Sequence, residues 1–212
     1  GRQTDSFMQD RQPKADILLV VDDSGSMSDK QTNLANNFSS FIQYAVTANV
    51  DYQIGVVTTD VGLNGVLRTT SAGGKFLTNT TPSVQTHFSN LVRVGTSGSA
   101  TEQPLQSATL ALTSPNIAGA NVGFVRPDAN LAIVVVSDAE DQSNQPPSYY
   151  ENLLINVKGF SRLSNFSFSV IGPFLSSSPS GCIYDGIGSA MRYNSLVTRT
   201  GGVKEEVCNT NW

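Results

Sequence analysis

Residues Ile17 to Val21 form an unbroken apolar run, and the chain turns sharply polar straight after it, in Asp22-Asp23-Ser24-Gly25-Ser26. With no polar residue alternating inside it, the run predicts a strand buried on both faces. Such strands occur in mainly parallel sheets covered by helices, and these sheets place ligand sites beyond the carboxyl ends of their strands. Asp22, Ser24 and Ser26 fall at that end. A carboxylate and two hydroxyls in one loop suit a hard cation such as Mg²⁺, which takes oxygen ligands and keeps several waters. The same residues are also ordinary turn formers and helix caps. A second acidic loop is needed to separate the two readings.

Asn130 to Ser137 supplies it. This is the most strand-like run in the chain, again apolar on both faces, and it ends in Asp138-Ala139-Glu140-Asp141. Two buried parallel strands, each closing on a carboxylate, bring Asp22 and Asp138 to one rim of one sheet, which capping alone does not explain. A third segment, Gly98-Ser99-Ala100-Thr101-Glu102, precedes a helix carrying Leu105, Ala108 and Leu112. Thr101 and Glu102 stand at that helix start as a cap pair or as metal ligands. Both readings stay open from these residues.

The remaining elements alternate between strands and helices, as a doubly wound sheet requires. Residues 28–48 place Leu34, Phe38, Phe41 and Ala45 on one helical face. Tyr52 to Thr58 is a second strand, after which Asp60 reaches the same rim. Residues 61–81 are rich in Gly, Thr and Asn, with a short edge hairpin expected around Val66–Thr70. A helix over 82–94 turns Val84, Phe88 and Leu91 inward and leaves His87 exposed. Pro146-Pro147 opens a helix with Tyr150, Leu153, Leu154, Val157 and Phe160 on its stripe. Phe166 to Ile171, a helix over 188–200 and a strand over Val203–Val207 complete the pattern. Residues 1–13 lack periodicity, with Phe7 and Met8 as their large apolar groups, and read as a lead-in segment. Residues 14–212 read as a single domain.

Composition narrows the function. Of the 212 residues 39% are hydrophobic, enough for one sizeable core, and only 14% are charged. The formal charge of −4 gives no basic patch for nucleic acid, and no stretch is long and apolar enough to span a membrane. Beginning at Gly1 and ending at Trp212, the chain reads as an excised domain or mature fragment. Its two cysteines, Cys182 and Cys208, in a hydroxyl-rich chain predict a disulfide formed in an oxidising compartment; two buried thiols are the alternative. Their spacing is not a zinc pattern. With one histidine and no phosphate-binding Gly-x-x-x-x-Gly-Lys-Ser/Thr, the residues favour a binding module over an enzyme. Glu140 and Asp141 could serve as a general base, but their place on the rim favours flanking the metal, binding a second ion such as Ca²⁺, or staying solvated.

Val21-Asp22-Asp23-Ser24-Gly25-Ser26-Met27 together with Ser137-Asp138 resembles a von Willebrand factor A (vWA) domain with a metal-ion-dependent adhesion site. The resemblance covers roughly residues 14–208. DYQIGVVTTDV, GSATEQPL and VSDAEDQS further resemble a branch on surface or outer-membrane lipoproteins of predatory and gliding bacteria. The resemblance implies a six-stranded, Rossmann-like, mainly parallel sheet between helices, with one antiparallel edge strand. It also implies Mg²⁺ or Mn²⁺ held by Asp22, Ser24, Ser26, a middle-loop Thr and Asp138, with the last position taken by a carboxylate of a protein or glycan partner at a cell surface. The family pattern Gly-x-Thr-x-Thr is altered here. Thr101 is the first choice for the third-loop ligand, with Ser99 or Glu102 as alternatives. A directly bound Glu102 would add negative charge and weaken attraction for an acidic partner. A structural domain within a larger surface assembly and, further off, a metal-assisted hydrolase are the competing functions.

Overall fold

Strand β1 (Lys14–Val21) lies inside a six-stranded sheet; its apolar run Ile17–Val21 is buried, as is Asp16 before it, which pairs with Arg126. A computed structural model of the chain describes residues 12–185 and 190–212. Strands β2 (Asp51–Thr58) and β4 (Asn130–Val136) flank β1, both parallel to it. Two more parallel strands, β5 (Phe166–Gly172) and β6 (Lys204–Glu206), extend the sheet on the β4 side. The two-residue β3 (Leu77–Thr78) closes the other edge, antiparallel to β2. The order is β3-β2-β1-β4-β5-β6.

Alternate residues of the strands feed two cores. Ile17, Leu19, Val21, Ile54 and Val56 face α1 (Ser28–Thr47) and α2 (Val84–Val92). Leu18, Val20, Ile133, Val135, Phe168 and Val170 face α3 (Pro104–Leu112), α4 (Pro147–Lys158) and α5 (Asn194–Thr200). Burying each large side chain stabilises the fold by about 1.5–3 kcal/mol, which holds the sheet between its two helical layers. The molecule is therefore an α/β, doubly wound sheet with helices on both faces.

Several expectations change. The hairpin around Val66–Thr70 does not form; Arg68 N–H bonds to Val56 O, Thr70 and Gly74 close a turn, and Leu77–Thr78 is the edge strand. Phe41 is 42% exposed and lines an apolar cavity of about 170 Å³ with Leu34, Phe88 and Trp212. Phe160 is exposed because α4 ends at Lys158 and Gly159 redirects the chain. His87 is half-buried, with Nδ1 bonded to the Ser71 hydroxyl at 2.7 Å. Phe7, Met8, the Phe38 side chain and the expected helix start at 188–189 lie outside what is described.

The register sets up the rim. Val21 pairs with Thr58 on one side and Val136 on the other. Asp22, Thr59 and Ser137 therefore leave the sheet side by side.

Candidate metal centre

Asp22 is fully buried at the end of β1, where its backbone N–H donates to Val136 O at 2.9 Å. Its Oδ1 accepts the Ser24 N–H at 2.8 Å and its Oδ2 accepts the Ser137 hydroxyl at 2.6 Å. The Ser24 and Ser26 hydroxyls are 3.3 Å apart, and Ser26 Oγ donates to Asp138 Oδ1 at 3.0 Å. Asp22, Ser24, Ser26 and Asp138 are thus brought together from two loops as the sequence predicts. They do not cap α1, which is preceded by Met27 with no side-chain cap, but the Ser24 N–H to Asp22 Oδ1 bond is the turn-forming contact expected of an aspartate here. Ser24 and Ser26 spend their hydroxyls inside the cluster.

In the third segment, Thr101 is exposed and its backbone N–H bonds to Ser99 Oγ at 2.9 Å. The inward-facing group is Glu102, which is fully buried. Its Oε2 accepts the Thr59 hydroxyl, while its Oε1 has no hydrogen-bond partner. Burial, then the charge of Asp22, pushes its carboxyl up to about 8. Asp22 is raised by burial against the pull of the Ser137 and Ser24 hydroxyls. Asp138 is raised mainly by burial, opposed by Lys30. These are carboxylates removed from water without enough positive charge nearby. Asp23 is also buried and raised by burial, with one oxygen unpartnered. Gly98 donates its N–H to Asp23 O at 2.8 Å, and a Cβ at Gly98 would fall 2.2 Å from Asp23 Cγ. A larger residue there would have to displace the Asp23 carboxylate.

The outer acidic residues do structural work. Asp141 is buried, paired with Arg192 at 2.8 Å, and its Oδ1 accepts the Leu105 N–H at 3.1 Å. With Ser143 Oγ accepting the Gln106 N–H, it caps α3 from another loop, so Thr101 is not the cap. Glu140 accepts the N–H groups of Met191 and Arg192 ahead of α5. Asp60 caps a short 3-10 turn through Gly62 N–H. Glu140 and Asp141 are thus held by backbone N–H groups of α3 and of the turn before α5, and Asp141 also by Arg192.

Four contributors escape a reading of the sequence alone. Ser137 and Thr59 hold the Asp22 and Glu102 carboxylates. Gln31 donates to Asp22 O at 2.9 Å and Gly95 O at 2.7 Å, joining the first and third loops. Lys30 is 1% exposed, with Nζ 3.0 Å from Asp138 Oδ2 and donating to Ser26 O and Ile183 O. Their polar run Ser28-Asp29-Lys30-Gln31 looks like a solvated first helical turn. The Cys182–Cys208 disulfide forms, with Cα atoms 5.8 Å apart, and anchors the segment that carries Ile183.

Among the described residues, no group of three or more His, Cys, Asp or Glu side chains is arranged to hold a metal. A cation at this rim would have to draw on hydroxyls beside carboxylates. The donors present are hard oxygens, and the buried Glu102 Oε1 and Asp138 Oδ2, neither of which takes a hydrogen bond, are atoms such an ion would satisfy. The residues fit a hard divalent cation.

No protein-family model and no curated protein matches the chain. Solved structures do. The chain is similar to proximal thread matrix protein 1 from the mussel byssus, at 12% identity and a TM-score of 0.57, over 93% of this chain and 44% of that one. A second crystal form of the same mussel protein matches at 11% identity and a TM-score of 0.56. It is also similar to a D319A mutant of the PilB minor pilin from Streptococcus sanguinis, at 13% identity and a TM-score of 0.55, over 96% of this chain and 59% of that one. The chain thus spans less than two thirds of either neighbour. At these identities the likeness establishes the α/β fold. Two of the proteins whose structures share it are named as a matrix protein and a pilin, and the disulfide points to an oxidising location.

Proposed function

We propose that this chain is a vWA-like domain that binds, without turnover, an acidic group of a protein or glycan partner through a divalent cation at the Asp22–Asp138 rim. It would act at the surface of a bacterial cell or as part of a secreted or lipid-anchored protein. The carrying observation is the Ser26 Oγ to Asp138 Oδ1 bond at 3.0 Å, which joins the two acidic loops into one oxygen-rich cluster. Asp22, Ser24, Ser26 and Asp138 would hold Mg²⁺ or Mn²⁺, and Glu102, the buried group beside Asp22, takes the third-loop place in preference to Thr101, acting through a bridging water so that its charge does not cancel the ion's pull on an acidic partner. When bound, the ion supplies positive charge for an incoming carboxylate. Asp22 and Glu102 are oriented by Ser137 and Thr59, so the cluster is held in shape from below.

The test is the melting temperature of EDTA-stripped protein titrated with Mg²⁺, Mn²⁺ and Ca²⁺, beside Ser26→Ala. At 100-fold saturation a folded-state ligand adds about 2.7 kcal/mol, which for a domain of this size is a rise of roughly 5–10 °C. A saturable rise with Mg²⁺ or Mn²⁺ that Ser26→Ala weakens supports the reading. A flat response to all three ions refutes it and leaves a purely structural domain.

A further inference from the structure

We infer that Lys30 is a resident cation of the loop cluster, holding it together when no metal is bound and weakening the binding of a divalent ion there. The inference rests on the metal reading above. Lys30 lies in the first turn of α1, a position where a lysine ordinarily extends into water. Here it is 1% exposed, and its ammonium is 3.0 Å from Asp138 Oδ2. It donates to Ser26 O at 2.9 Å and to Ile183 O at 2.8 Å, while the exposed Asp29 carboxylate stands 3.4 Å away. One charge thus ties the first loop, the second acidic loop and the disulfide-anchored segment together.

Asp138 Oδ1 accepts the Ser26 hydroxyl, while Oδ2, which takes no hydrogen bond, faces the Lys30 ammonium as an ion pair. A divalent ion drawing on Asp138 meets a carboxylate whose charge is already largely balanced, and it meets a fixed positive charge next to it. Both effects lower affinity. The opposing effect is orientation, because an outer-shell partner also positions its ligand. Orientation is the smaller loss here. Without Lys30, Asp138 is still held by Ser26 Oγ and by Asp185 N–H bonded to its backbone O at 3.1 Å. The charge effect therefore decides the sign.

The experiment is isothermal titration calorimetry of Mn²⁺ and Mg²⁺ into wild type, Lys30→Gln and Lys30→Arg, with the melting temperature of each in EDTA. Gln keeps a donor and removes the charge; Arg keeps the charge and is expected to resemble wild type. Lys30→Gln is expected to bind Mn²⁺ about 10-fold more tightly, the effect of removing a like-charge repulsion of about 1.4 kcal/mol, and to melt lower in EDTA. A purely structural lysine would lower the melting temperature and leave the dissociation constant unchanged. If wild type binds and Lys30→Gln binds no more tightly, the inference is wrong and the metal reading stands. If only Lys30→Gln binds, the inference holds and the native chain is not a metal-dependent binder. If neither binds, both fail. Lys30→Met provides a second charge-free variant, so a folding defect in the Gln protein does not decide the outcome.

Discussion

Glu102→Gln should make the metal-free domain more stable at neutral and alkaline pH. Glu102 is fully buried beside Asp22, and its carboxyl is pushed from the ordinary 4.5 up to about 8. Below about pH 4.5 the side chain is protonated in both the folded and unfolded chain and has no effect on stability. Between 4.5 and 8 the folded state keeps a proton that the unfolded state loses, so stability falls as pH rises. The slope from this group is at most about 1.4 kcal/mol per pH unit, which sets a ceiling of roughly 5 kcal/mol above pH 8. Glutamine mimics the protonated acid: its carbonyl accepts the Thr59 hydroxyl and its amide can donate to Asp22. Urea denaturation in EDTA at pH 5, 6, 7 and 8 is the assay. Wild type and Glu102→Gln should agree within about 1 kcal/mol at pH 5 and diverge in favour of the mutant, by roughly 3 kcal/mol or more at pH 8. Parallel curves, or a mutant that is weaker at pH 8, would refute the reasoning.

Other perturbations read other parts of the account. Replacing Cys182 and Cys208 by Ser opens a loop with a sequence separation of 26 and should cost about 3.5 kcal/mol in urea denaturation; no loss would mean the unfolded chain is already restricted. Arg192→Ala leaves the buried Asp141 without its ion pair and should destabilise by about 3 kcal/mol. A loss under 1 kcal/mol would show that Ser143 and Leu105 suffice. Asn121, 1% exposed, bonds the Leu67 N–H, Gly65 O and Ala111 O. Asn121→Ala should therefore cost at least about 3 kcal/mol, measured as a lowered urea midpoint with unchanged slope.

The sheet was legible because β1 and β4 carry runs of branched apolar residues and β5 alternates apolar residues with serine, and because Asp22 and Asp138 mark where the first two stop. Periodicity also located α1 and α4 to within a few residues. It failed at Val66–Thr70, where β-branched residues lie between glycines but the backbone finds one strand bond, at Arg68. At the site, spacing within one loop was readable, as in Asp22, Ser24 and Ser26. Contacts between loops were not. Asp141 looked like a site carboxylate because sequence gives no sign that Leu105 N–H, 36 residues earlier, needs a cap. Thr101 and Glu102 differ by one position, and only the path of the chain into α3 decides which faces Asp22. Lys30 is the clearest case: its burial depends on Ile183 O, 153 residues away.

The most direct measurement is anomalous diffraction from crystals grown with Mn²⁺ after EDTA stripping. The account predicts one strong peak within coordination distance of Asp22, Ser24, Ser26 and Asp138 or their bridging waters. Crystals of equal quality with no peak at that rim, and Lys30 still against Asp138, would contradict it and leave the cluster as a self-contained polar brace.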